Sequence, residues 1–73
     1  MKITIIPVGS VKTFMNETIV NVPAGISYED ILKSLKLPKS LRTIALVNNK
    51  RPNAKQVIHD GDELKIVSLI MGG

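Results

Sequence analysis

Residues 26–38 read Ile26-Ser27-Tyr28-Glu29-Asp30-Ile31-Leu32-Lys33-Ser34-Leu35-Lys36-Leu37-Pro38, and this stretch carries the chain's helical period. Tyr28, Ile31, Leu32 and Leu35 recur at i, i+3, i+4 and i+7, which places them on one face of a helix. Ser27 suits the N-cap, and Asp30 three residues later is a weaker form of the capping box. Ile26 and Ile31 have the spacing of a hydrophobic staple. Glu29 and Asp30 in the first turn, with Lys33 and Lys36 near the end, complement the helix dipole. Pro38 disfavours the helical conformation in the residue before it, so the helix is expected to end at about Lys36 or Leu37.

On either side the pattern changes to strands. Ten Ile and seven Val stand against seven Leu, a bias toward strand-forming side chains. Residues 2–8 read as a strand with Ile3 and Ile5 on one face. Pro7 has no N–H to donate, so pairing is expected to lapse or bulge there. Gly9-Ser10 opens a loop to about Met15, and residues 17–22 return as an antiparallel second strand. Pro23-Ala24-Gly25 stops it. Residues 43–48 read as a third strand, followed by the turn Asn48-Asn49-Lys50, where Asn tolerates positive φ. Residues 51–58 read as a short edge strand at most, because Pro52 and Asn53 weaken central pairing. Asp60-Gly61-Asp62 is a turn. Residues 63–70 read as the last strand, with Leu64 and Ile66 inward.

One helix among four or five strands leaves one economical arrangement. The helix covers one face of a mixed sheet, giving an α+β two-layer domain over residues 1–73 with an exposed tail at 70–73. The first and last strands are expected side by side and parallel in the middle.

Composition narrows the function. A chain of 73 residues folds as one domain and buries about 60% of the surface its unfolded chain exposes, so little room remains for an enclosed catalytic pocket. With 44% apolar residues it is not a disordered chain. Its apolar runs are only a few residues long, far short of the ~20 that span a bilayer. Residues 1–7 lack the features of a signal peptide. Cysteine is absent, which removes disulfides, thiolate metal sites and thiol nucleophiles. A cytoplasmic protein is the expectation. The net charge is +4, but the ten basic residues are spread from Lys2 to Lys65 and the only aromatics are Phe14 and Tyr28. Clustered charge and stacking rings, the marks of a nucleic-acid binder, are missing. A solvated, mildly basic surface is the expectation, with an acidic protein partner as the alternative.

Few side chains suggest catalysis. His59 is the lone histidine and reads as a turn residue rather than a metal ligand. Asp60, Asp62 and Glu63 lack the spacing of a calcium loop. Ser10, Ser27 and Ser40 have no histidine base in a triad pattern. No metal or bound cofactor is expected.

The sequence ends in Gly72-Gly73. A segment without side chains can thread a narrow channel, presenting only the α-carboxylate of Gly73. A carboxylate is anionic and a poor electrophile, so another enzyme has to activate it. Taken with the strand–strand–helix–strand–strand order and the Asp60-Gly61-Asp62-Glu63-Leu64 turn into the last strand, the chain resembles the ubiquitin-like sulfur carriers of the β-grasp fold, the MoaD/ThiS group. Val47-Asn48-Asn49-Lys50 is similar to the family's Val-Asn-Gly-Lys turn, with Asn49 in the Gly place. The resemblance covers residues 1–73.

The resemblance implies a protein co-substrate rather than an enzyme. An E1-like enzyme would use MgATP to adenylate the carboxylate of Gly73, a sulfur source would convert it to a thiocarboxylate, and a biosynthetic enzyme of the molybdopterin or thiamine type would accept the sulfur. The chain departs from both subgroups. Leu69-Ile70-Met71 stands where molybdopterin-type members carry proline and a small or polar residue, and residues 2–22 make a longer hairpin than the thiamine-type members have. Similar proteins dock through an apolar patch on the open sheet face. If Ala45 and Val47 face the helix, Ile44 and Leu46 face out. Leu46, Val67, Leu69 and Met71 are then the candidate partner-binding residues, rimmed by Lys65 and Arg42. A ubiquitin-like modifier conjugated through Gly73 and a non-catalytic binding module are the alternatives, and the fate of Gly73 separates them.

Overall fold

Strand β1, Lys2–Val8, alternates as the sequence predicts: Ile3, Ile5 and Pro7 are buried while Thr4, Ile6 and Val8 lie half-buried on the other side. The computed structural model describes residues 1–38, 40–53 and 55–69. A 3-10 turn at Gly9–Thr13 leads to β2, Thr18–Asn21. Helix α1, Tyr28–Ser34, follows, then β3, Thr43–Val47, and β4, Glu63–Ser68. The strands form one mixed sheet in the order β2-β1-β4-β3. β1 runs parallel to β4 at the centre, and β2 and β3 flank them antiparallel. This is a small α+β fold, with the helix on one face.

The core lies between α1 and the sheet. Ile3, Ile5, Ala45, Val47, Leu64 and Ile66 supply the sheet side, and Ile31, Val11 and Ile58 close it. Tyr28, Leu32 and Leu35 pack against its margin, so the face read from the helical period is the face that is used.

Pro7 does not interrupt the sheet. It sits in register with Ile66 in an unbroken β1–β4 ladder. Backbone N–H groups alternate sides along a strand. The Thr4 N–H donates to Asp62 O at 3.1 Å, so even-numbered residues of β1 turn their N–H toward β4. Pro7 therefore directs its nitrogen toward β2, where the last pair is Ile5 with Thr18. The missing donor falls beyond the end of that ladder and costs no bond.

The helix is shorter than its period suggests. Ser27 caps it, its Oγ accepting from the Asp30 N–H at 3.3 Å. It ends at Ser34 rather than Lys36 or Leu37. Lys36 adopts φ +55, a left-handed residue that closes the helix. The Ser34 hydroxyl donates to Ile31 O at 2.6 Å, and the Leu35 N–H reaches back to Leu32 O at 3.2 Å. Reversing the chain at Lys36 lets Leu37 pack against the core.

Two further readings change. Residues 51–58 form no strand among the described residues; a single bridge joins Val57 to Ser27. Ile58 still enters the core, tied by its N–H to Ile26 O at 2.9 Å. The segment after Gly9 is the 3-10 turn, which buries Val11. Gly9 holds φ +68, and a Cβ there would lie 2.5 Å from Ser68 Oγ, the atom that accepts the Ser10 N–H at 2.9 Å. Gly9→Ala is expected to lower stability by about 2–3 kcal/mol, from the left-handed backbone and the contact together. Urea denaturation of the two proteins measures this, and an unchanged midpoint would remove the constraint.

Candidate functional site

Among the described residues no helix covers the second face of the sheet. Register and alternation decide which side chains it presents. Ile6 of β1 is opposite Lys65 of β4, which is opposite Leu46 of β3. One step along, Val8 is opposite Val67, which is opposite Ile44. These two rows cross three strands and form a continuous apolar field broken only by Lys65. In the other direction the next row is Ile19, Thr4 and Glu63.

Lys65 does not place its charge in the middle of that field. Its Nζ donates to Asn49 Oδ1 at 2.7 Å. The aliphatic stem stays among Ile6 and Leu46 while the ammonium sits at the rim. Asn49 is positioned by a two-residue turn in which Asn48 has φ +51 and Asn49 φ +68. The turn is closed by two bonds between Val47 and Lys50, at 2.9 and 3.1 Å. Both positive φ values are what a twisted hairpin of this length requires.

The turn is fixed to β4 by side chains. Asn48 Oδ1 accepts the Glu63 N–H at 2.9 Å, and Asn48 Nδ2 donates to Asp62 Oδ1 at 2.9 Å. Asp62 Oδ2 accepts the His59 N–H at 2.8 Å. Asp60 Oδ1 accepts the Lys2 N–H at 2.7 Å. The Asp60 and Asp62 carboxylates thus act in turn construction. The His59 ring is 82% exposed, its Nδ1 3.9 Å from Asp62 Oδ2. Among the described residues no three of His, Asp and Glu converge as a metal site.

The structure brings Leu46, Val67 and Leu69 to the same face. Leu69 follows β4 and is 44% exposed, its N–H donating to Arg42 O at 2.8 Å. Arg42 is exposed beside it. Met71, Gly72 and Gly73 lie outside the described residues. The sequence reading of the patch left out Ile6, Val8 and Ile19. The inward assignment of Ile3 and Ile5 already implies Ile6 and Val8 outward, so that signal was present. Ile19, 67% exposed, depends on the hairpin register, which a loop of this length does not specify.

No family model, curated protein or solved structure matches this chain.

The described residues include no helix long and apolar enough to cross a membrane. Ser27 caps α1 through its Oγ, and the Ser10 backbone N–H donates to Ser68 Oγ.

Proposed function

We propose that this chain is a cytoplasmic β-grasp sulfur carrier whose Gly73 carboxylate is activated by an E1-like enzyme. One observation carries the reading. The central strand β4, paired on both sides, runs in the direction of the sequence's Gly72-Gly73, and Leu69, four residues before Gly73, is still tied to the sheet by its N–H to Arg42 O. A rigid sheet therefore sets the reach of a segment that ends in two residues without side chains. The sheet order with a single helix supports the β-grasp assignment.

The chemistry follows from the carboxylate. MgATP on the activating enzyme transfers AMP to the Gly73 carboxylate with release of pyrophosphate. Hydrosulfide then attacks the carbonyl carbon and displaces AMP, leaving a thiocarboxylate that a biosynthetic enzyme of the molybdopterin or thiamine type consumes. The field of Ile6, Leu46, Val67 and Leu69 docks these partners while the tail enters their sites.

Intact mass of the chain isolated from its own cytosol without added thiol tests the reading. One oxygen replaced by sulfur, located at Gly73, is the expected result. An isopeptide bond from Gly73 to a lysine would replace it with the modifier reading. Leu46→Asp is expected to weaken binding to the activating enzyme by about tenfold or more, since it puts a charge in the apolar field. The fold should tolerate it, because the cross-strand neighbour Lys65 is of opposite charge. A titration with unchanged affinity, at an unchanged melting temperature, would take Leu46 out of the docking face.

A further inference from the structure

β3 is an edge strand, and its outer edge carries backbone groups set out for a further strand. The Asn48 N–H donates to Glu63 O and Arg42 O accepts from Leu69, so the even-numbered residues face β4. Thr43 and Ala45 therefore direct their N–H and C=O groups away from the sheet. Among the described residues none of these four groups has a hydrogen-bond partner. Val47 is different, because Lys50 closes on it through the turn.

A groove of about 420 Å³ lies along this edge, between β3 and α1. Tyr28, Leu32, Ala45 and Pro52 supply its apolar lining, and Thr43, Glu29 and Arg51 stand beside them in a lining that is more polar than apolar. Side chains of an added strand alternate between faces. Those beside Thr43 and Ala45 would point over this groove, toward Tyr28 and Leu32. An edge and a groove together are the two parts of strand addition: main-chain bonds give affinity and the groove selects alternate side chains.

The charges select the occupant. Arg42 is exposed at one end of β3, and Lys50 and Arg51 are exposed at the other. Glu29 is the one acidic side chain in the groove lining, and the whole chain carries +4. A second copy pairing β3 on β3 in antiparallel fashion would bring the Arg42 end of each strand against the Lys50-Arg51 end of the other. Like charges at a strand edge oppose such self-pairing. An acidic segment meets cations at both ends instead.

We propose that the β3 edge receives an extended peptide segment of a partner protein, acidic at its ends and apolar in its middle, as a fifth strand of the sheet. The site lies on the β3 edge rather than on the open face, and the proposal stands without the sulfur-carrier reading.

The probe is a blocked heptapeptide, Glu-Asp-Val-Ile-Val-Asp-Glu, added to the full chain. Amide hydrogen exchange of Thr43 and Ala45 is expected to slow by about tenfold or more at saturation, with Ile19 and Asn21 on the β2 edge unchanged. Peptides with alternate amides N-methylated, in both phases, separate main-chain pairing from simple charge attraction. At least one phase is expected to lose the protection. Arg51→Glu, at an exposed position, is expected to raise Kd by about tenfold. The proposal is overturned if the peptide leaves Thr43 and Ala45 unprotected, or if protection appears on β2 instead. It is equally overturned if Lys-Lys-Val-Ile-Val-Lys-Lys binds as well. Sedimentation showing that the free chain already dimerises with Thr43 and Ala45 protected would assign the edge to a second copy.

Discussion

Ile66→Ala is expected to remove a large share of the domain's stability, about 2–5 kcal/mol. At ~0.05–0.15 kcal/mol per residue a domain of this length holds only about 4–11 kcal/mol. Ile66 is fully buried at the centre of the sheet, between Pro7 of β1 and Ala45 of β3. Neither neighbour is placed to refill the space. Pro7 is held by its ring, and Ala45 has only a methyl group. The cavity left by the substitution therefore persists, and the cost is expected toward the upper part of that range. Urea unfolding should show the midpoint falling with the slope nearly unchanged. Ile44→Ala provides the contrast. Ile44 is one residue from Ala45 but faces the open side, half-buried, and should cost less than half as much. Equal losses at the two positions would mean that the two faces of β3 are not distinguished as described.

The distinction between those faces was legible in the sequence because period-2 alternation is a property of consecutive residues. The inward positions Leu64 and Ile66 follow from it, and the outward pair Ile44 and Leu46 follows once Ala45 and Val47 are taken to face the helix. So does the helix face, from the spacing of Tyr28, Ile31, Leu32 and Leu35. Features that depend on a second segment were not legible. The harmless placement of Pro7 requires knowing which of its two flanking ladders stops first, and that is set by where β2 begins. The end of α1 at Ser34 depends on Lys36 adopting a left-handed conformation, for which lysine has no marked preference, so that Leu37 reaches the core. Residues 51–58 carry apolar side chains that do enter the core through Ile58, but Tyr28 and Ser27, not another strand, meet their backbone. The candidate docking face was half legible. Leu46, Val67 and Leu69 came from alternation within single strands, while its extension across Ile6, Val8 and Ile19 is a matter of register between strands.

Lengthening the chain beyond Gly73, by even one bulky residue, is expected to abolish ATP-dependent activation while leaving the fold intact. The argument is geometric. β4 is anchored on both sides, and Leu69 is still bound to Arg42, so the sheet cannot slide to compensate for a longer tail. In the sulfur-carrier reading, the activating enzyme meets the carboxylate at a fixed distance from the docked open face. An added residue moves the carboxylate about 3.3–3.6 Å along an extended chain. That is several times the misplacement of about 1 Å that can cost a hundredfold in rate. Gly73→Trp keeps the length but fills the channel that the two glycines would thread, and should fail as completely. The controls are an unchanged urea midpoint and unchanged affinity for the activating enzyme in the absence of ATP, since the docking face is untouched. Pyrophosphate exchange and intact mass together read the outcome. An extended variant that is adenylated and sulfurated at its new end would refute the fixed-reach mechanism. Loss of activation with binding retained would place the defect at the carboxylate itself.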